Sequence, residues 1–265
     1  MFFPEKIVSF IADENYEIDD IGMSGSSILI FENKVLKAQK YIEEAKNEYQ
    51  MMKYLHEKYL PVPTVYAYEE TEDTSYLLMS KCDGQMACCD AYMENPALQC
   101  KLLADGLKKL WSVDVSDCPS DQRLSRKLAE ARYNVENGLV DMDNVQPDTF
   151  GENGFRGPEE LLQWLYDNPP KEELVLSHGD YCLPNIFGIR DKVTGYIDLG
   201  KTGIADKWCD IAICYRSLLN NYRGVYSGDE EKDYPDCDEL LLFRELGIEP
   251  DWEKIRYYIL LDELF

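Results

Sequence analysis

One stretch constrains this chain more than any other: Leu174 to Lys201, where short apolar runs alternate with polar turns. The runs at 174–176, 186–189 and 194–197 have the length of short buried strands. The turns between and beside them carry Asp180, Asn185 and Asp198. Two carboxylates and an amide oxygen raised from strand ends make a set of hard ligands. Such a set suits Mg2+, which keeps several waters and binds the phosphates of a substrate. A β-hairpin with incidental polar turns would explain any one of these residues alone.

The spacing says more. A kinase catalytic loop places its base Asp five residues before a metal-binding Asn, and a second metal-binding Asp follows downstream in an Asp-x-Gly turn. Asp180 and Asn185 have that separation, and Asp198-Leu199-Gly200 follows on an apolar run. The pattern points to phosphoryl transfer, with Asp180 as the base. His178 is the competing base, but at such a turn it reads as a residue that holds the loop by hydrogen bonds.

Earlier segments fit the same chemistry. Residues 1–13 read as a short leading helix, followed by strands at Glu17–Ile21, Ser27–Phe31 and Asn33–Ala38. The turn Gly22-Met23-Ser24-Gly25-Ser26 is small enough for backbone N–H groups to approach phosphates, although it lacks either common nucleotide fingerprint. Lys37 lies on the third strand. Glu48 stands eleven residues on, in a helix whose apolar positions Ile42, Ala45, Tyr49, Met52 and Leu55 follow helical spacing to Tyr59. A strand Lys paired to a helix Glu is the kinase device that orients the α- and β-phosphates. After strands at Thr64–Glu69 and Ser75–Lys81, the run Leu77 to Gly84 leaves a strand for a glycine turn, the place of a kinase hinge. A domain boundary is expected there, giving a nucleotide-binding lobe at 1–83 and a catalytic lobe at 84–265.

The remainder is largely helical. Leu98–Val113 and Leu124–Val135 carry apolar stripes that read as core, and Asn137–Gly157 is a polar loop. Pro158 opens a helix, Ile211 to Leu218 lie on another, and Asp210 at its start reads as a brace for the catalytic loop. An acidic loop at 220–237 precedes helices at Asp238–Leu246 and Pro250–Phe265.

Composition sets limits. The chain has 265 residues, 45% apolar, and a formal net charge of −24, so it can bury a large core and suits neither nucleic acid nor a disordered state. The acidity suits a cationic substrate. No 18-residue uncharged apolar run appears, and the first residues do not read as a signal peptide. Nine scattered cysteines without a Cys-x-x-Cys pair read as free thiols of a cytoplasmic protein, and two histidines exclude a His-rich metal site.

Several segments resemble the aminoglycoside 3'-phosphotransferase family, nearest to its Gram-positive type with broad range. They are Ser177-His178-Gly179-Asp180, Leu183-Pro184-Asn185-Ile186, Gly195 to Gly200, Ala205 to Ala212, and the tail Asp251 to Phe265. The resemblance implies an α+β, protein-kinase-like bilobal fold, with a small antiparallel β-sheet N-lobe and a mainly helical C-lobe. It implies ATP and Mg2+, and phosphorylation of the 3'-hydroxyl of polycationic drugs such as kanamycin, which confers resistance. On it, Asp180 is catalytic, Asn185 and Asp198 hold metal, and Lys37 and Glu48 orient phosphates. Ser24 falls in the nucleotide-positioning loop, and Met79, Ser80 and Cys82 in the hinge. Glu263 and the Phe265 carboxylate hold ammonium groups, and loop acids such as Asp148, Asp229 or Glu230 would join them. Two residues depart from the family: Val35 replaces an adenine-stacking aromatic, a loss that weakens ATP binding or relaxes the choice between ATP and GTP, and Lys201, counted with the substrate-binding residues, replaces an Arg. A monomer or weak dimer without membrane contact is expected. A choline, homoserine or macrolide kinase on the same fold is the alternative. A nucleotide-sensing pseudokinase is disfavoured by the full residue set, and a metal-dependent hydrolase would need more ligands.

Overall fold

The structure, a computed structural model, describes residues 3–12, 14–19, 26–40, 43–152, 154–226 and 234–265. Helix α1 (Glu5–Ile11) lies on a five-stranded antiparallel sheet. Phe10 of α1 stacks on Tyr66, and Lys6 pairs with Glu69 at 3.0 Å. The strands are β1 (Glu17–Asp19), β2 (Ser27–Ile30), β3 (Lys34–Lys40), β4 (Val65–Glu70) and β5 (Thr74–Ser80), in spatial order β1-β2-β3-β5-β4. Helix α2 (Glu43–Glu57) runs between β3 and β4 in sequence.

The period of two along β3 divides the interior. Leu36 and Ala38 face one way and join Ile7, Ile11, Leu29 and Leu78 in a small core. Val35 and Lys37 face the other way, opposite Met79 and Leu77 of β5. Leu77 and Met79, with Met51, Met52 and Leu55 of α2, belong to the larger core that fills the rest of the molecule. Alternation alone therefore sends Lys37 to the side where the catalytic segments lie.

Beyond β5 come β6 (Gln85–Met86), α3 (Asp90–Met93), α4 (Pro96–Trp111), α5 (Leu124–Asn137) and α6 (Pro158–Asp167). Then follow β7 (Leu174–Ser177), β8 (Ile186–Ile189), β9 (Lys192–Tyr196), β10 (Gly203–Asp206), α7 (Lys207–Tyr222), α8 (Leu241–Leu246) and α9 (Trp252–Asp262). The helix starts are written locally. Asn95 accepts from Leu98 N at 3.2 Å ahead of Pro96, and Asp251 accepts from Lys254 N at 3.1 Å.

The central segment differs from three neighbouring strands. β8 and β9 form a hairpin that turns at Arg190 and carries none of Asp180, Asn185 and Asp198, whereas β7 pairs with β10 in a separate two-stranded sheet. Strand β6 joins β8 and β9 as a third strand. Burial is uneven, since Leu174 and Ile189 at the outer strand ends are exposed. The leading helix, α8 and α9 are each shorter than their patterns suggested. Ile42 and the 22–25 turn lie outside the described residues. All nine cysteines are free, and among the described residues no helix is long and apolar enough to cross a membrane.

Candidate active site

Lys37 connects three elements. Its ammonium, 8% exposed, donates to Glu48 Oε2 of α2 at 2.9 Å and to Asp198 Oδ1 beyond β9 at 2.7 Å. Burial pushes the Lys37 ammonium down, but Glu48 and Asp198 together outweigh it and hold the group above its usual range. Burial lifts the Glu48 carboxyl, with Lys37 opposing it. For Asp198 burial also pulls upward, and Lys37 overcomes it to leave the carboxyl below its usual range. Asp198 itself has left-handed backbone angles (φ 58°, ψ 58°), which turn its side chain out of the line of β9.

The loop that carries Asp180 follows β7 and is built on a buried carboxylate. Asp210, in the first turn of α7, accepts from Ser177 Oγ, His178 N and Gly179 N, each at 2.9 Å. This is the bracing role expected of it. Burial raises its carboxyl, and these donors oppose the rise. Gly179 has φ +88° and sits against the Lys201 backbone, where a Cβ would collide. His178 is fully buried, its ring edge-on to Tyr181 and near Tyr196. Burial pushes its imidazole down. Its backbone is what hydrogen bonds hold firmly, through Asp210 and through Thr202 Oγ1, which donates to His178 O at 2.7 Å. The ring is held mainly by packing, its one contact with the loop being a long 3.4 Å bond from Asp180 N to Nδ1.

Asn185 ends a 3-10 turn (Leu183–Asn185) and gives Nδ2 to Asp180 O at 3.1 Å and to Asp180 Oδ2 at 3.0 Å. Its amide oxygen is thus the atom left for a metal. Ile197 N donates to Asn185 O at 3.1 Å, which places the chain just before Asp198 alongside Asn185. One amide oxygen and one carboxylate fit Mg2+, which completes its shell with water and substrate phosphates. Among the described residues no group of three or more His, Cys, Asp or Glu forms an all-protein cage. The Asp180 carboxyl is raised by burial and by Asp262, against the pull of Lys201.

The other expected residues scatter around this centre. Met79 faces Val35 across the sheet, and Ser80 pairs with Lys34 in register and accepts from Thr64 N at 3.0 Å. Cys82 lies beside Gly195, its thiol pushed up to about 12 by burial and by Asp83. Lys201 lies over the Phe265 ring at 5.3 Å. Burial pushes its ammonium down, but the carboxylates of Asp262, Glu44, Asp180 and Glu130 raise it on balance. Glu263 is 7% exposed and already engaged: Oε2 accepts from Gln146 N at 2.7 Å, and Oε1 lies 3.5 Å from Arg216. Arg216 also pairs with Asp262. Asp148 is exposed in the turn that follows Gln146. Ser24, Asp229 and Glu230 lie outside the described residues. Sequence reasoning passed over Arg216, Gln146 and Asp262, because their contacts join loop 137–157, α7 and the tail, segments distant in the chain.

The family described as Phosphotransferase enzyme family matches residues 34–243. An aminoglycoside 3'-phosphotransferase of Enterococcus faecalis is 44% identical over 226 residues, which span 84% of this chain and 79% of that protein. One of Staphylococcus aureus is 43% identical, spanning 84% and 80%. The chain belongs to the aminoglycoside 3'-phosphotransferase family. Solved structures agree on the fold. An aminoglycoside phosphotransferase of Streptomyces rimosus superposes with a TM-score of 0.79 at 24% identity, covering 98% of this chain and 96% of that one. A type VIII aminoglycoside 3'-phosphotransferase gives 0.79 and 24%, covering 98% of each chain. The Streptomyces rimosus protein has also been solved with ADP and streptomycin. Members of this phosphotransferase family share the kinase-like fold, so the sheet that carries Lys37 and the segments that carry Asp180, Asn185 and Asp198 belong to one architecture.

Proposed function

We propose that this chain is an ATP-dependent phosphotransferase that phosphorylates the 3'-hydroxyl of aminoglycosides such as kanamycin and thereby confers resistance. The observation that carries the reading is the Lys37 ammonium bridging Glu48 and Asp198, within the same fold as the Asp180–Asn185 pair. Residues 1–83 serve as the nucleotide lobe and 84–265 as the catalytic and drug-binding lobe. Adenine lies against Val35 and Met79, with the Ser80 carbonyl and Cys82 N–H reading its edge. The aliphatic Val35 supports GTP as a second donor. Ser24, ahead of Ser27–Ile30 in the chain, is the residue assigned to positioning the phosphates.

Phosphoryl transfer needs the attacking hydroxyl in line and positive charge on the transferred group. Lys37, oriented by Glu48, grips the α- and β-phosphates. Asn185 and Asp198 hold Mg2+, which supplies charge that offsets the phosphates. Asp180 orients the sugar hydroxyl and takes its proton late. Its raised carboxyl makes it a better proton acceptor than an ordinary Asp. Asn185 Nδ2 fixes which Asp180 oxygen faces the drug by occupying the other. On the drug side, Glu263, the Phe265 carboxylate, Asp148 and the acidic loops bind ammonium groups. The net charge of −24 supports a polycationic substrate and disfavours nucleic acid. Nine free thiols support a cytoplasmic location, and a monomer or weak dimer suffices for the chemistry.

The test is Asp180→Asn, assayed by coupled ADP release with ATP, Mg2+ and kanamycin. Turnover should vanish while nucleotide binding survives. Retained turnover would remove Asp180 from the mechanism.

A further inference from the structure

Asn47, on α2 immediately before Glu48, is not explained by phosphate binding or by drug binding. Its side chain donates twice, to Gly200 O at 2.7 Å and to Thr202 O at 2.9 Å. Both acceptors belong to the turn that follows Asp198, around the 3-10 segment Leu199–Lys201. Helix α2 therefore reaches Asp198 by two routes: through Glu48 and Lys37, and through Asn47 and the turn itself.

Two neighbouring features reinforce this contact. A Cβ on Gly200 would stand 2.5 Å from Cγ of the Glu44 side chain, so the turn lies directly against the first turn of α2. Thr202, whose carbonyl takes Asn47, gives its hydroxyl to His178 O at 2.7 Å, and His178 precedes Asp180 by two residues. The chain of contacts runs from α2 through the metal turn to the catalytic loop.

We propose that Asn47 is a positioning residue that pins α2 to the Asp198 turn and so keeps the Lys37–Glu48–Asp198 bridge assembled before nucleotide arrives. Glu48 is one residue away on the same helix, so any outward swing of α2 that parts Glu48 from Lys37 must first break both Asn47 bonds. Two backbone carbonyls then lose their donor, which opposes the swing. The pin makes the site constitutively assembled and removes any need for an activating signal to bring α2 inward. The inference rests on the functional reading above only for its kinetic consequences; the pin itself is a statement about α2 and the turn.

The test uses the full chain carrying Asn47→Ala. With ATP as the varied substrate, kcat/KM is expected to fall by about tenfold to a hundredfold, since the two lost bonds populate a state with Glu48 swung away. The Michaelis constant for kanamycin should change less than that for ATP, because Glu263 and Asp148 lie outside the loosened turn. Amide hydrogen exchange at residues 199–204 should quicken in the variant without any ligand. If Asn47→Ala does not fold, Asn47→Ser keeps one donor and should show a smaller change of the same kind. A lowered melting temperature with unchanged kinetic constants and unchanged exchange would reduce Asn47 to a structural residue and overturn the proposal. Wild-type protein without aminoglycoside turnover would sink the functional reading, and the exchange measurement would still decide for or against the pin.

Discussion

The Lys37–Glu48 pair offers a prediction in which stability and activity separate. In Lys37→Met, Glu48 stays at 1% exposure and loses its cation. Asp198 loses the same partner, but its side chain is 40% exposed and water can take over. The cost therefore falls on Glu48. Removing one member of a buried pair costs about 3 kcal/mol at the lower end of its range, which lowers the melting temperature by roughly 6–12 °C. The deficit depends on pH in a definite direction. Burial raises the Glu48 carboxyl, and losing Lys37 removes the group that opposed the rise. A raised carboxyl favours the folded state at low pH, where both states carry the proton, and loses that advantage as pH climbs through the folded value. Lys37→Met should therefore be nearly as stable as wild type at about pH 4–5, near the ordinary Glu value, and markedly weaker at pH 8. Adding Glu48→Met replaces the stranded carboxylate with an apolar side chain and should restore most of the lost stability at pH 8, with no recovery of ADP release. Thermal unfolding at both pH values, followed by coupled turnover, measures all three results. A single variant melting within about 2 °C of wild type at pH 8 would refute the claim that Glu48 depends on Lys37.

Three further predictions follow from neighbouring contacts. Lys201 lowers the raised Asp180 carboxyl, so Lys201→Met should move the acidic limb of the kcat–pH profile to higher pH, and an unmoved limb would contradict the link. Asp210→Ala strands Ser177 Oγ and His178 N and leaves Gly179 N only its 3.1 Å bond to Ser177 Oγ, so it should cost about 3 kcal/mol in urea unfolding along with nearly all turnover; wild-type stability would show that the loop is braced elsewhere. Partly exposed ion pairs are screened by salt, so the kanamycin Michaelis constant should rise severalfold between about 0.05 M and 0.5 M salt, and indifference would argue against an acidic drug site.

Much of this could be read from the chain because its chemistry is local. Asp180 and Asn185 share one turn, and a single bond between their side chains fixes their geometry. Helix α2 announces itself by period, and once β3 is a strand its alternation sends Lys37 away from the small core. What escaped notice depends on contacts between distant segments. Strand β10 is four residues without alternation, and it exists because it pairs with β7 some thirty residues earlier. Strand β6 has two residues and is defined by β8. Asn47 carries no signal in the sequence, because its acceptors Gly200 and Thr202 stand 153 and 155 residues away in the chain. Glu263 read as a free carboxylate for ammonium groups, yet Gln146 and Arg216 already engage it. Its contact with Gln146 ties loop 137–157 to the tail, a link that no spacing in the sequence discloses.

The measurement closest to the central claim is coupled ADP release with ATP and Mg2+, comparing kanamycin with tobramycin, which lacks the 3'-hydroxyl. Turnover with kanamycin and none with tobramycin is the predicted result. Equal turnover with both drugs would contradict the 3'-hydroxyl as acceptor, and turnover with neither would contradict the proposed substrate class.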